Sequence, residues 1–291
     1  MFPVVTGTAA NALALSAMTP PWGTIFCHLE AHIATDECGA PEFHTSGAKL
    51  QLIAGEHGRI SAGELARCLA GIQPGDQHQT QPSVLSITQV TEAGTIYRPE
   101  ELAELSAIAR RHGLYVHMDG ARFANAVVAA KCSPADLTWR AGVDVLSFGA
   151  TKNGALAAEA VVFFNTGLAE NFLYRRKRAG HLVSKMRFLS AQLDAYLQDG
   201  LWLELAAYAN LQAQRLAKGL QGIGSVEILH PVEANELFVR MPAVMIRDLR
   251  ARGFGFHVWG AEAEGIVRLV TAFDTPVSDV DAFIPACTAG P

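Results

Sequence analysis

The sequence predicts an α/β protein with a mostly parallel central sheet and a smaller α+β part at its carboxyl end. Three observations carry that prediction. Half of the 291 residues are apolar, enough for a sizeable core and too many for a disordered chain. Short, continuously apolar runs alternate with stretches of helical periodicity, the order from which α/β sheets are built. Gly and Pro separate the two kinds of segment, and no repeat or low-complexity tract interrupts them.

Taken in order, residues 9–18 read as a helix that follows Thr6, Gly7 and Thr8. TIFCH (24–28) and KLQLIA (49–54) read as strands, separated by a Gly/Pro-rich helical stretch. Ser61 starts a helix through an S-x-x-E capping box: its hydroxyl takes the Glu64 N–H while the Glu64 side chain reaches back. A polar loop, GDQHQTQP, leads to the apolar strand SVLSITQ (83–89). Pro99 opens a strong helix and Gly113 stops it. LYVHMD (114–119), VDVLSFG (143–149) and AEAVVFF (158–164) complete a set of strands apolar enough to be covered on both faces. Residues 171–223 are helical and richer in charge. Beyond them VEILH, ELFVRM, GFHVW and IVRLVTAF interleave with one helix near 243–251. The expected division is a large domain over 1–200 and a small α+β domain over 201–291.

Charge and composition exclude several classes of function. Twenty-eight acidic side chains against 23 basic ones leave a net charge of -5, the wrong sign for holding a phosphate backbone by bulk charge. No run approaches the ~18 apolar residues of a membrane-spanning helix. Neither nucleic acid nor membrane is an expected partner. The five cysteines are scattered and odd in number, unlike a disulfide framework, and the amino terminus lacks a basic n-region. The expected compartment is the reducing cytoplasm.

The chemistry gathers at strand ends. LYVHMD ends in Asp119, with Gly120, Ala121 and Arg122 behind it, so a carboxylate and a guanidinium emerge at the sheet edge where α/β proteins bind ligands. VDVLSFG runs into Lys152 among small residues, where shielding from water lowers an amine's proton affinity and turns it into a Schiff-base nucleophile. Gly7 and Thr8 open a helix, a natural anion site. A lysine, an acid and backbone donors are the groups that a pyridoxal phosphate site requires. His32 offers a flat ring to lie on such a cofactor, and Arg268 a fork suited to a carboxylate. Plainer readings stand beside these: a surface Lys152, a helix-capping Asp119, an Arg122 paired with Asp119, a solvent-facing Arg268. His28 and His32 with Cys27, Asp36 and Cys38 lack the spacing of a closed zinc site, so no metal is expected. The basic run 175–187 reads as a solvated helix face, with phosphate contact through Lys185 or Arg187 as its alternative.

VVTGTAAN (4–11), EAHIATDECGAPEF (30–43), HMDGAR (117–122), SFGATKNG (147–154) and GIVRLVT (265–271) together resemble the low-specificity L-threonine aldolases over nearly the whole chain. The resemblance implies the aspartate-aminotransferase type of fold (fold type I) and pyridoxal 5'-phosphate. It implies Lys152 as the Schiff-base lysine, Asp119 on the pyridine nitrogen, and Gly7 and Thr8 on the phosphate. His32 would be the ring-stacking histidine, also discussed as a catalytic base, and Arg122 and Arg268 would bind the substrate carboxylate. The implied reaction cleaves L-threonine, L-allo-threonine and related β-hydroxy-α-amino acids to glycine and an aldehyde, in a homodimer or homotetramer. Aldol cleavage of phenylserine-like substrates and β-elimination are the alternative chemistries.

Two departures from the family pattern accompany the resemblance. Family members carry several dozen residues before the T-G-T motif, whereas Met1 stands five residues before Thr6; the expectation is a chain without the amino-terminal arm, catalytically impaired in the extreme case. Some members also place a histidine after the strand equivalent to SVLSITQ. This chain reads VTEAGTIY there and offers Thr91 or Glu92.

Overall fold

The computed structural model describes residues 1–288. A seven-stranded sheet is formed by β1 (Phe2–Val4), β2 (Gly23–His28), β3 (Lys49–Ile53), β4 (Gln81–Thr88), β5 (Tyr115–Gly120), β6 (Val145–Gly149) and β7 (Glu159–Phe163), in the order β1-β7-β6-β5-β4-β2-β3. The five strands from β3 to β6 run parallel, and β7 and β1 close the edge antiparallel. Side chains alternate across this sheet. Ile25, Val84, Val145 and Val161 face α1 (Gly7–Met18), which covers them with Leu13, Leu15 and Met18. Phe26, Leu85, Ile87, Val116 and Met118 face the other way, toward α4 (Ala62–Ala70) and α5 (Pro99–Arg111). Both faces are therefore buried, as the unbroken apolar runs require.

The second sheet is antiparallel, in the order β10-β11-β9-β8: β8 (Glu227–Ile228), β9 (Glu236–Arg240), β10 (His257–Val258) and β11 (Ile266–Val270). It packs against α9 (Leu201–Leu220), α10 (Ala243–Ala251) and α11 (Val277–Ala286). The long α9 also lies on α6 (Phe123–Ala130), where Asn125 and Asn210 exchange buried hydrogen bonds of 2.9 and 3.0 Å. Smaller helices α2 (His32–Thr35), α3 (Ala40–His44), α7 (Phe172–Arg178) and α8 (Arg187–Leu197) complete the chain. No helix among the described residues is long and apolar enough to cross a membrane.

Beneath the strand ends, His117 ties three strands together. Its ring nitrogens meet Ser86 Oγ on β4 and Ser147 Oγ on β6, each at 2.9 Å. Burial pushes this imidazole down to about 4, so it stays neutral and can donate to one serine while accepting from the other. Asp119, two residues on along β5, is thereby held in a rigid frame.

The structure departs from the sequence reading in four local respects. Only half of the capping box forms: Ser61 Oγ accepts from Glu64 N at 3.2 Å, but the Glu64 carboxylate turns to Arg67, one helical turn away. β4 begins at Gln81, inside the expected polar loop, and its pairing with β2 slips beside Pro82, which has no N–H to give the ladder. β1 was too short to be legible as a strand; it exists because it pairs with β7. Helix α11 went unforeseen, although Pro276 ahead of Val280 and Phe283 at helical spacing marks it.

Candidate functional site

The site forms where β4, β5 and β6 end and the amino terminus of α1 approaches. Asp119 is 4% exposed. Its Oδ1 accepts from Ala121 N at 3.0 Å, and its Oδ2 accepts from Asn11 Nδ2 at 2.7 Å. It does not cap α6, which starts at Phe123 with no side-chain cap; the Ala121 bond makes a local turn that aims the carboxylate out of the strand. Asn11 Nδ2 also donates to Glu37 Oε1 at 2.8 Å, and the same oxygen meets His32 Nδ1 at 2.9 Å. One chain of hydrogen bonds thus links Asp119, Asn11, Glu37 and His32. Burial raises the Glu37 carboxyl, and the Glu37 bond raises the His32 imidazole.

Lys152 sits in a single 3-10 turn, Thr151–Asn153, just past β6. Two anchors hold that turn. Asn153 Nδ2 donates to Tyr196 Oη at 2.7 Å and to the Trp202 carbonyl at 2.8 Å, while Thr151 Oγ1 accepts from Ala158 N at 3.1 Å. Gly154 leaves the turn at φ +114, a left-handed conformation that favours glycine. The expected shielding of Lys152 is partial, because the residue remains solvent-accessible. Its proton affinity is nevertheless lowered, by the protein packed around it and then by the Arg122 cation. Asp119, Glu236 and Arg268 also act on its charge, and His32 in turn responds to Asp119 and Lys152. The expected residues share one electrostatic neighbourhood.

Arg122 and Arg268 are neither paired with Asp119 nor turned to solvent, so both plainer readings are corrected. They meet on one buried glutamate: Arg122 Nη1 lies 3.0 Å from Glu236 Oε1, and Arg268 Nε donates to Glu236 Oε2 at 2.7 Å with Nη2 on the same oxygen. Glu236 is 1% exposed. Arg268 also lies over the Trp259 ring, 5.7 Å from its centre. Two guanidiniums against one carboxylate leave a net positive charge, with further N–H donors on each fork.

Gly7 and Thr8 form the first turn of α1, where Thr6 Oγ1 caps Ala9 N at 3.2 Å and no acidic side chain competes for the helix amino end. A Cβ on Gly7 would meet nothing within 4 Å, so the space over these amides is open to an anion. Together with the buried acid and the low-affinity amine, these donors fit pyridoxal 5'-phosphate: Lys152 for its aldehyde, Asp119 for its ring nitrogen, Gly7 and Thr8 for its phosphate. Sequence reasoning missed Asn11, Glu37 and Glu236. Asn11 follows Gly7 and Thr8 by about one helical turn, and Glu37 lies within the His32 motif, so helical spacing around known positions would have found the first two. Glu236 had no local signal.

Comparison with known proteins identifies the family. Residues 1–243 match the beta-eliminating lyase family. The chain is 47% identical over 274 residues to a protein of Pseudomonas aeruginosa named low specificity L-threonine aldolase, covering 94% of this chain and 78% of that one. It is 46% identical over 269 residues to the enzyme of that name from a Pseudomonas species, covering 92% and 77%. A solved threonine aldolase of Leishmania major superposes with a TM-score of 0.91 at 29% identity, over 98% of this chain and 82% of that one. On these grounds the chain belongs to the beta-eliminating lyase family, alongside the low-specificity L-threonine aldolases.

Proposed function

We propose that this protein is a pyridoxal phosphate-dependent aldolase that cleaves L-threonine, L-allo-threonine and related β-hydroxy-α-amino acids to glycine and an aldehyde. The observation that carries the reading is the meeting of Lys152, Asp119, Arg122 and Arg268 at one sheet edge, in a chain 47% identical to a protein of that name. Bound there, pyridoxal phosphate supplies a conjugated ring that accepts the electron pair released when the substrate's Cα–Cβ bond breaks.

The chain's own residues supply the rest. Lys152, with its lowered proton affinity, holds the cofactor's aldehyde carbon. Asp119, fixed by Asn11 and Ala121, keeps the pyridine nitrogen protonated; Gly7 and Thr8 donate N–H groups to the phosphate. His32, steered by Glu37, would offer its flat ring to the cofactor. Arg122 and Arg268 take the substrate carboxylate with the donors that Glu236 leaves free, and the single net positive charge of that trio suits a monocarboxylate. Their grip orients the bond to be broken.

Incubating the purified protein and cofactor with L-threonine tests the reading. Glycine plus acetaldehyde is the expected product pair; a 2-oxo acid plus ammonia would replace it with β-elimination. Lys152→Ala should lose the visible cofactor absorbance, and cleavage should fall more than about 1,000-fold. Retained turnover in that variant would overturn the role of Lys152. We further propose a homodimer or homotetramer in the cytoplasm. The exposed apolar side chains Leu156, Phe188, Tyr174 and Phe43 support the first, and five free cysteines support the second.

A further inference from the structure

Glu92 has no part in the roles assigned above, yet its carboxyl group lies inside the site. It belongs to the loop that follows β4, whose Gln89 N–H donates to the Asp119 carbonyl at 2.8 Å. Its Oε1 accepts the backbone N–H of His32 at 2.7 Å. Its Oε2 is buried with no partner at hydrogen-bond distance, although the Thr88 hydroxyl also acts on the carboxyl, a costly state for a carboxylate unless the chemistry uses it. The neighbouring Thr91 is already committed: its hydroxyl meets Thr95 Oγ1 at 2.8 Å and the His57 carbonyl at 3.3 Å, and it is fully buried. Of Thr91 and Glu92, only Glu92 keeps an acceptor open.

The charged and titratable groups around Glu92 suit proton transfer. Burial, then Asp119, pushes its carboxyl up to about 7, against the opposing hydrogen bond from His32 N–H, so it takes and gives up a proton near neutral pH. Arg122 faces it from the Asp119 turn. Cys27 from β2 and Tyr97 from the same loop both stay protonated, because burial raises them. His32 has its Nδ1 engaged with Glu37, which raises its hold on a proton.

We propose that Glu92 Oε2 is the base that takes the proton from the substrate's β-hydroxyl group; this rests on the aldolase reading above. The O–H bond breaks and its proton passes to Glu92. The oxygen's electron pair becomes the π bond of the departing aldehyde, the Cα–Cβ bond breaks, and its pair stays on Cα. The proton that completes glycine at Cα balances the one Glu92 has taken, and nothing is oxidised or reduced.

The test compares holoenzyme, Glu92→Gln and Glu92→Asp. The glutamine oxygen keeps the bond from His32 N–H, so folding and cofactor absorbance should match the wild type. Cleavage of L-threonine by Glu92→Gln should fall about 100-fold or more, and the acidic limb of the rate profile near pH 7 should vanish. Glu92→Asp should recover part of the rate. Exchange of the glycine α-hydrogen with D2O, followed by proton NMR, involves no hydroxyl group and should stay within about twofold. In cofactor-free protein labelled with 13C at glutamate carboxyls, one resonance that titrates near 7 should disappear in Glu92→Gln. Cleavage by Glu92→Gln within about threefold of wild type, an equal fall in cleavage and glycine exchange, or no such resonance would overturn the proposal while leaving the aldolase reading intact. A wild-type protein that makes no glycine from L-threonine would overturn both.

Discussion

At the scale of single residues, the site is a set of buried charges that exist only in company. Asn11 and Ala121 each give one Asp119 oxygen a donor, and two guanidiniums close on the buried Glu236 carboxylate. Glu159 is the contrasting case. It stands at the start of β7, 6% exposed, and burial pushes its carboxyl up to about 7 against a bond from Thr151 and the charge of Lys152. A carboxyl raised above its unfolded value contributes stability below its unfolded value near 4.5, and that contribution is lost as pH rises through about 7. Glu159→Gln should therefore match the wild type near pH 5 and exceed it near pH 8 by about 1–3 kcal/mol, read from urea midpoints. An equal shift at both pH values would contradict the linkage. His117 has the opposite sign: lowered to about 4, it costs stability as pH falls below its unfolded value of 6.5.

At the scale of elements, the chemistry depends on how closely strand ends approach the turns beside them. β6 ends in Gly149, where a Cβ would stand 2.8 Å from the Ala121 carbonyl oxygen, 2.9 Å from Ala121 Cα and 3.0 Å from Glu159 Oε2. That contact presses β6 against the turn that aims Asp119, so only a hydrogen fits. Gly149→Ala should push the turn away, weaken cofactor binding about tenfold or more, and cost about 1–3 kcal/mol of stability. A cofactor titration and a urea midpoint would check it; unchanged values in both would show that the turn has slack. Element by element, most of this was legible in the sequence. Continuous apolar runs marked the buried strands, and Pro99 and Gly113 marked the ends of α5, because period, caps and breakers are local properties. The half-formed box at Ser61 was not, since Arg67 outcompetes a backbone N–H for the Glu64 carboxylate.

At the scale of the whole molecule, segments distant in the chain complete one another. Glu236, on the small sheet, closes on Arg122 from the large one, and Glu233 bonds Ile96 N at 2.8 Å and Arg98 at 3.0 Å. Leu156 is 89% exposed beside the Lys152 turn, at the rim of a cavity of about 680 Å³ lined also by Phe188, Tyr196 and Leu205. The homo-oligomer proposed above would cover an apolar residue so placed. Light scattering should give the mass of two or four chains, and Leu156→Glu should shift it toward one; a monomeric wild type would exclude the oligomer.

By itself the sequence determined the class of fold, the strands that end in Asp119 and before Lys152, and the motifs that mark the family, because each is written in consecutive residues. Only the tertiary structure decided that Arg122 and Arg268 share Glu236, that Asn11 joins Asp119 to Glu37, and that Glu92 rather than Thr91 keeps a free oxygen. Those facts depend on which buried charges meet across tens or hundreds of residues. Desolvation sets that choice in the folded core, where an unpaired ion is too costly to leave alone.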